Sequence, residues 1–136
     1  MKNILKVLLS LTILVSCGEA QIKEETVEVL SCKDLRTGKF KYEVKEMKIN
    51  TTVVRTDSLQ IETELNSGIV FTYGVNWISD CVYTLQLQDC SQKLPEDAFN
   101  NLMTVNITET GIDNYNIVGT MSGKEGDFKV KIYKVD

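Results

Sequence analysis

The stretch IVFTYGVNWISDCVYTLQLQD, residues 69–89, carries the pattern that decides the fold. On both sides of the dipeptide Ser79-Asp80, apolar side chains occupy every second position. Successive side chains of a strand point to opposite faces, so this alternation predicts two strands that are each buried on one face. Two such runs joined by two turn-forming residues predict an antiparallel hairpin. The residues of the buried face are Ile69, Phe71, Tyr73, Val75 and Trp77 before the turn, and Cys81, Tyr83, Leu85 and Leu87 after it.

The period of two continues on both sides of this hairpin. Upstream, Phe40, Tyr42 and Val44 alternate with charged residues, and the pattern slips at Lys45-Glu46, which predicts a β-bulge. The other strand-like runs cover residues 51–56, 59–65, 103–110, 115–122 and 128–135.

About eight strands in sequence, joined mostly by short turns, form an antiparallel meander. Such a meander closes most simply into an all-β, eight-stranded barrel, with a two-sheet sandwich as the alternative. One longer connection follows Cys90. Ser31 and Pro95 favour short helical turns near residues 31–36 and 95–101.

Closure of the barrel would make the first and last strands neighbours. Both strands carry outward lysines, and like charges directly opposite each other are unfavourable. Lysines along a strand edge also oppose pairing with another edge. We therefore expect a barrel that is flattened or not fully closed at this seam, where the lysines are Lys39, Lys41 and Lys45 on the first strand and Lys129 and Lys131 on the last.

The N-terminus has the features of an export signal. Two lysines precede an apolar run that is shorter than the about 20 residues of a membrane-spanning helix. The motif Leu14-Val15-Ser16-Cys17 resembles the lipobox of bacterial lipoproteins, in which the cysteine becomes acylated and anchors the chain. The absence of aspartate directly after Cys17 favours the outer membrane, on either face. We predict a lipoprotein signal peptide over 1–16, an acidic tether over 17–30 and one domain over 31–136.

Export makes disulfides permissible, and three cysteines remain once Cys17 is assigned to lipidation. Cys81 and Cys90 lie near opposite ends of one predicted strand, which holds them about 30 Å apart. That separation is beyond bridging distance. Cys32 therefore pairs with one of them or with neither. We favour Cys32–Cys81, and Cys32–Cys90 or free thiols remain the alternatives.

Composition narrows the classes of function. The chain has 136 residues, a net charge of −4 and no histidine. An acidic chain without basic clusters argues against nucleic-acid binding, which needs Lys and Arg to neutralise phosphates. The lack of histidine excludes Ser-His-Asp triads and most zinc sites. We expect no enzyme, metal or cofactor, because the carboxylate pairs have structural interpretations: tether for Glu24/Glu25, solvated strand face for Glu62/Glu64 and first helical turn for Glu96/Asp97.

Aromatic residues of the buried face form the main candidate site. A barrel of this size is either filled by its own side chains or hollow enough for a small apolar ligand. In a hollow barrel, tyrosine hydroxyls and Trp77 would orient the ligand. Arg55 would pair with an anion if it faced inward, although we expect it to be solvated. The candidate cavity residues are Tyr42, Arg55, Phe71, Tyr73, Trp77, Tyr83 and Tyr115.

Three segments resemble known proteins: SCKDLRTGKFKYE (31–43), VRTDSLQIE (54–62) and NWISDCVYTLQL (76–87). They resemble short bacterial lipoproteins of unknown function, some of which circulate under the label "DNA topoisomerase IV". That activity does not suit a small, acidic, exported chain, because a topoisomerase needs a large basic DNA gate. Gly38-Lys39-Phe40 also looks like the opening of lipocalin-type barrels, and this resemblance implies a lipocalin-like fold.

The combined expectation is a lipoprotein of the cell envelope that is held at the membrane by its acylated N-terminus. Its most direct role is a non-catalytic binding module for a small ligand or an envelope component. The alternative is a protein-interaction lipoprotein, such as an envelope assembly accessory or a hydrolase inhibitor, that acts through its loops.

Overall fold

Eight antiparallel strands form a closed barrel in this computed structural model, which describes Gly18 and residues 22–135. Each strand pairs with its neighbours along the chain, so the fold is the predicted meander and not a sandwich. The predicted signal peptide and Cys17 lie outside the described residues. The strands are β1 (Gly38–Val44), β2 (Ile49–Arg55), β3 (Leu59–Glu64), β4 (Val70–Ser79), β5 (Val82–Cys90), β6 (Leu102–Thr110), β7 (Asn114–Met121) and β8 (Asp127–Val135).

The helical segments within the described residues are short 3-10 turns. Two of them, Cys32–Leu35 and Glu96–Asn100, fall where the sequence predicts helical turns. The third, Lys45–Met47, replaces the predicted bulge. There the chain reverses between β1 and β2, and Lys48 adopts a left-handed conformation with φ of 54°. The slip in the apolar pattern thus marks a turn.

The seam between β1 and β8 is closed, which makes the prediction of an incomplete barrel wrong. Lys39 pairs with Val135 and Lys41 with Tyr133, so no lysine stands directly opposite another in this register. The strands of a closed barrel are staggered along its axis. This stagger brings only the end of β8 against β1, and Lys129 and Lys131 pair with β7 instead.

The faces of β3 are the reverse of those expected. Gln60 is buried, whereas Leu59 and Ile61 are exposed on the outside of the barrel. The cause is the turn between β2 and β3, where the backbone N–H of Thr56 donates to the Leu59 carbonyl at 2.8 Å. It sets Arg55 opposite Gln60, and residues directly opposite in a ladder point to the same face. With Arg55 inside, Gln60 and Glu62 must also face the interior.

The two ends of the barrel differ. We call the end that carries the Cys32–Leu35 turn the closed end, because fully buried Leu35 packs there against the core. The connections at the other end, the open end, are the Lys45–Met47 turn and residues 65–69, 91–101 and 122–126. The N-terminal segment meets the closed end, where the Leu30 N–H donates to the Gly111 carbonyl at 2.9 Å.

A disulfide joins Cys32 to Cys81 and confirms the favoured pairing. Their Cα atoms are 5.2 Å apart, within the range that a disulfide spans. Cys90 is free and partly buried. The bridge fixes the Cys32–Leu35 turn to the β4–β5 connection and so holds Leu35 in place. All eight strands and the disulfide fall within residues 31–135, so this segment contains a complete barrel.

Candidate functional site

The barrel encloses a cavity of about 580 Å³ towards its open end. Its wall is mostly apolar, as expected for a strand face that alternates with the outer surface. This volume falls within the range of about 300–1,000 Å³ typical of small-molecule sites. The lining residues are Tyr42, Val44, Met47, Ile49, Val53, Gln60, Glu62, Tyr73, Tyr83, Leu85, Met103, Val105, Ile117, Met121, Phe128, Lys129, Val130 and Ile132.

Arg55 closes the cavity from below. Its side chain is buried, with 2 % exposure, so the expectation of a solvated arginine is wrong. The guanidinium donates to the Leu35 carbonyl at 2.7 Å and to the Tyr83 and Tyr115 hydroxyls at 2.9 and 3.2 Å. Its charge also lies 4.9 Å from the centre of the Phe40 ring. These contacts satisfy a buried cation and tie the Cys32–Leu35 turn to three strands.

A carboxylate lies on the cavity wall above this floor. The Arg55 Nε donates to Gln60 Oε1 at 2.6 Å, and Gln60 Nε2 donates to Glu62 Oε1 at 2.6 Å. The Tyr42 hydroxyl donates to the other Glu62 oxygen at 3.0 Å. Arg55, Gln60, Glu62 and Tyr42 therefore form one hydrogen-bonded chain, with its cation beneath the cavity and its anion in the wall.

The environment shifts the pKa of the groups in this chain. Burial raises the pKa of Glu62, against the lowering effects of the Gln60 and Tyr42 hydrogen bonds and of the Arg55 charge. Burial raises the pKa of Tyr42, and the nearby Glu62 carboxylate raises it further. Burial and Glu62 raise the pKa of Tyr73 in the same way. Both tyrosines are therefore neutral donors, and Glu62 is a carboxyl that its surroundings do not favour in the ionised form.

Flexible and aromatic side chains surround the mouth of the cavity. Met47, Met103 and Met121 contribute unbranched thioethers, which adapt to ligands of different shape. Phe128 lies over Gly119 of the neighbouring strand, where an added Cβ would overlap its ring. The glycine thus lets the ring lie flat against the wall, which keeps the cavity open.

The sequence-predicted cavity residues separate into three groups. Tyr42, Tyr73 and Tyr83 line the cavity. Arg55 and fully buried Tyr115 are not among the lining residues and lie beneath the cavity, where Arg55 forms its floor. The third group is outside it, with Phe71 stacked on Tyr73 and Trp77 packed on Tyr83 towards the closed end.

Trp77 belongs to the packing of the closed end. Its ring lies 4.6 Å from that of Tyr83, centre to centre, and the Arg36 guanidinium lies 5.1 Å from the centre of the Trp77 ring. Arg36 in turn donates to Asp80 at 3.2 Å. This arrangement stabilises the base of the barrel, away from any ligand in the cavity.

Gln60 and Glu62 are not among the site residues predicted from the sequence. Leucine and isoleucine alternate with them, and this pattern predicts that both polar side chains face solvent. The signal that could have found them is the length of the turn between Arg55 and Gln60. A turn of that length puts both residues on one face, so an inward Arg55 implies an inward Gln60 and Glu62.

Among residues 22–135, no group of three or more acidic, cysteine or histidine side chains is placed to hold a metal. The same part of the chain has no helix long and apolar enough to cross a membrane. Comparisons with known protein families, curated proteins and solved structures found no match to this chain.

Proposed function

We propose that the protein is a membrane-anchored envelope lipoprotein that binds a small, largely apolar ligand or envelope component without catalysing its conversion. The observation that carries this proposal is the cavity of about 580 Å³ between the Arg55 floor and the open end. A barrel without a ligand role gains stability by filling such a space, because an unfilled void forfeits packing contacts.

The chemistry of the wall supports an amphiphilic ligand. Val53, Leu85, Val105, Ile117 and Ile132 offer apolar surface at depth. Polar groups are few and lie together on one side, at Gln60, Glu62 and the tyrosines. An apolar pocket with a small number of convergent polar groups is the usual form of a site that binds and orients a small molecule.

The absence of catalysis in the proposal follows from how the carboxylates are held. Glu62 is bonded to Gln60 and Tyr42, and Glu64 is not its partner. The Glu64 side chain accepts backbone N–H groups of Asn66 and Ser67 at 3.1 and 2.7 Å in the turn after β3. Acid–base work by two carboxylates needs both to face one substrate, and these two serve different purposes.

The proposed anchor is compatible with access to the cavity. The chain enters the barrel at the closed end, where Leu30 bonds to Gly111, and the cavity opens at the opposite end. Residues 22–29 are exposed. A lipid on Cys17 would therefore hold the closed end nearer the membrane and leave the mouth accessible to ligands. Two or more acyl chains give stable anchoring, whereas one gives marginal binding.

Calorimetric titration of decanol, a neutral amphiphile, into the chain from Gly18 onward tests the binding role. Val105 lines the cavity, so Val105→Phe should occupy part of its volume and weaken decanol binding about tenfold. Thr104→Phe adds the same ring on the other side of the strand and serves as the matched control. Failure of the wild-type protein to bind decanol, or equal binding by the Val105 variant, would contradict the cavity as a binding site.

Metabolic labelling with radioactive palmitate tests the anchor. We expect label in the wild-type protein and in Cys90→Ala, and none in Cys17→Ala. Unlabelled wild-type protein, with a Cys17→Ala variant that is exported normally, would refute the lipoprotein assignment.

A further inference from the structure

We propose that the ligand carries a protonated amine or a similar cationic hydrogen-bond donor, which binds the Glu62 carboxylate while its apolar body fills the cavity. This inference rests on the proposed binding function and names the chemical class of the ligand. It follows from the placement of charge around the cavity.

Glu62 has acceptor capacity left for a ligand. Each of its two carboxylate oxygens accepts one hydrogen bond from the protein, from Gln60 and from Tyr42. A carboxylate oxygen has two lone-pair sites, so each can accept a second donor. The side chain lines the cavity, so a ligand that occupies the cavity can reach the carboxylate.

Arg55, the cation that the hydrogen bonds of Gln60 connect to Glu62, already donates to other groups of the protein. Arg55 donates to Leu35, Gln60, Tyr83 and Tyr115 and is not among the lining residues. The Gln60 amide separates it from Glu62, accepting from one and donating to the other. The Arg55 charge therefore acts on Glu62 from a distance, without a direct hydrogen bond between the two side chains. A ligand cation could contact the carboxylate directly, which is the stronger arrangement.

The rest of the wall favours a cation over an anion. Tyr42 lines the cavity and donates to Glu62, and the face of an aromatic ring attracts cations. Lys129 is the one lysine of the lining, but it alternates with inward Phe128 and Val130 and is exposed on the outside of β8. An anionic head group at this depth would meet Glu62 without a cation to pair with, which is costly in a low dielectric.

A change in the pKa of Glu62 on binding gives a second measurable effect. Burial raises the pKa of this carboxyl, so its ionised form is less favoured in the empty cavity than in water. A bound ammonium group lowers the pKa again by pairing with the ionised form. At a pH where the carboxyl is partly protonated before binding, binding should therefore release protons, and the heat of binding should depend on the ionisation enthalpy of the buffer.

Three probes of equal chain length test the inference: decylamine, decanol and decanoate. Each is titrated by calorimetry, below its micelle concentration and near neutral pH, into wild-type protein, Glu62→Gln and Glu43→Gln. Glu43 is an exposed carboxylate on the outside of β1, so its variant makes the same change in net charge away from the cavity. Circular dichroism checks that each variant is folded.

We expect wild-type protein to bind decylamine at least tenfold more tightly than decanol, and decanoate most weakly. Glu62→Gln should reduce decylamine binding about tenfold or more and leave decanol within about twofold, because a hydrogen bond to a charged partner is lost. Glu43→Gln should behave as wild type.

The outcomes distinguish a failure of the cationic-ligand inference from a failure of the proposed binding function. Decanol binding without any preference for decylamine would overturn the cationic ligand and leave the binding role intact. A preference for decanoate would overturn it as well. Failure of all three probes to bind would refute the binding role itself. Comparing the affinities of wild-type protein for the three probes tests the preference for a cationic ligand even if Glu62→Gln does not fold.

Discussion

Replacing Arg55 by methionine should be among the most destabilising single changes in this protein. Methionine has a similar length but no donors, so the Leu35 carbonyl, the Gln60 amide and the two tyrosine hydroxyls lose a common partner. Glu62 loses the only cation linked to it by the hydrogen-bonded chain. The change therefore disrupts both the floor of the cavity and the charge balance of its wall.

The size of the effect can be worked from the contacts. Four hydrogen bonds to a charged group, at about 1.5–3 kcal/mol each, give a gross loss of about 6–12 kcal/mol. Methionine avoids the desolvation of a guanidinium, which costs several kcal/mol, and packs against the Phe40 and Tyr83 rings. The net loss should be about 3–5 kcal/mol, as found when one partner of a buried ionic network is removed.

Coupling to Glu62 gives the more specific test. Because its surroundings raise the pKa of Glu62, Glu62→Gln alone should be neutral or slightly stabilising near neutral pH. In the Arg55→Met background the carboxylate lacks its cation, so Glu62→Gln should recover about 1–3 kcal/mol of the loss.

Urea unfolding provides the measurement, followed by the fluorescence of Trp77, the single tryptophan. Its ring is packed against Tyr83 and is released on unfolding. A loss below about 1 kcal/mol for Arg55→Met would be inconsistent with the network described here, since that is the range of an ordinary neutral hydrogen bond. Additive effects in the double variant would show that Arg55 and Glu62 do not interact.

Three further changes test other parts of the fold. Replacing Cys32 and Cys81 by serine opens a crosslink with a sequence separation of 49 and should cost about 4 kcal/mol by loop entropy, measured by urea unfolding. Gly119→Ala should displace the Phe128 ring, costing about 1–3 kcal/mol and weakening decanol binding. Hydrogen bonds from Ser67 and Asn66 lower the pKa of Glu64 from its ordinary value of 4.5 to about 2. The stability that the ionised Glu64 carboxylate contributes is therefore present above pH 4.5 and is lost as the pH falls towards about 2. The melting temperature measured by thermal unfolding should fall less steeply over that pH range for Glu64→Gln than for wild type.

Each of these changes has a matched comparison. Cys90→Ser alters a free thiol and should change stability little, so an equal loss there would contradict the role of the disulfide. Gly119→Ala should cost less in a Phe128→Leu background, and an unchanged cost would mean that the ring is not the obstacle. Parallel pH profiles for Glu64→Gln and wild type would show that the turn does not depend on the ionised carboxylate.

The sequence was sufficient for the features that depend on local pattern. Alternation of apolar and polar residues predicted the strands, and turn-forming residues such as Ser79-Asp80 predicted their connections. Strand length excluded a bridge between Cys81 and Cys90 and left Cys32–Cys81 as the favoured pairing among three alternatives, and the structure has that disulfide. Closure of the seam was predicted wrongly, because the stagger of a barrel depends on all eight strands together and cannot be read from the charges of two.

The hydrogen-bonded chain of Arg55, Gln60, Glu62 and Tyr42 was not predicted, because two principles conflict in β3. Hydrophobicity favours Leu59 and Ile61 inside, whereas the register set by Thr56 and the Arg55–Gln60 pair places Gln60 and Glu62 there. Register prevails because a slip of one residue would also expose the opposite face of a paired strand. An arginine in a strand has a high prior of being solvated, so the residue that determines the outcome was itself assigned to the surface.

A carboxyl in the cavity wall is therefore a departure from what stability alone would select. Apolar side chains of similar volume often replace buried ionic groups with no loss, or with a gain, in stability. Glu62 and Gln60 stand where leucine and isoleucine are available one position away on the same strand, and the strand exposes those apolar residues to solvent. Residues that reduce stability in this way concentrate at binding sites, where a ligand restores what the empty protein lacks. The inverted strand thus links the fold to the proposed ligand: the cation that would complete the pairing of Glu62 is the group that the ligand has to bring.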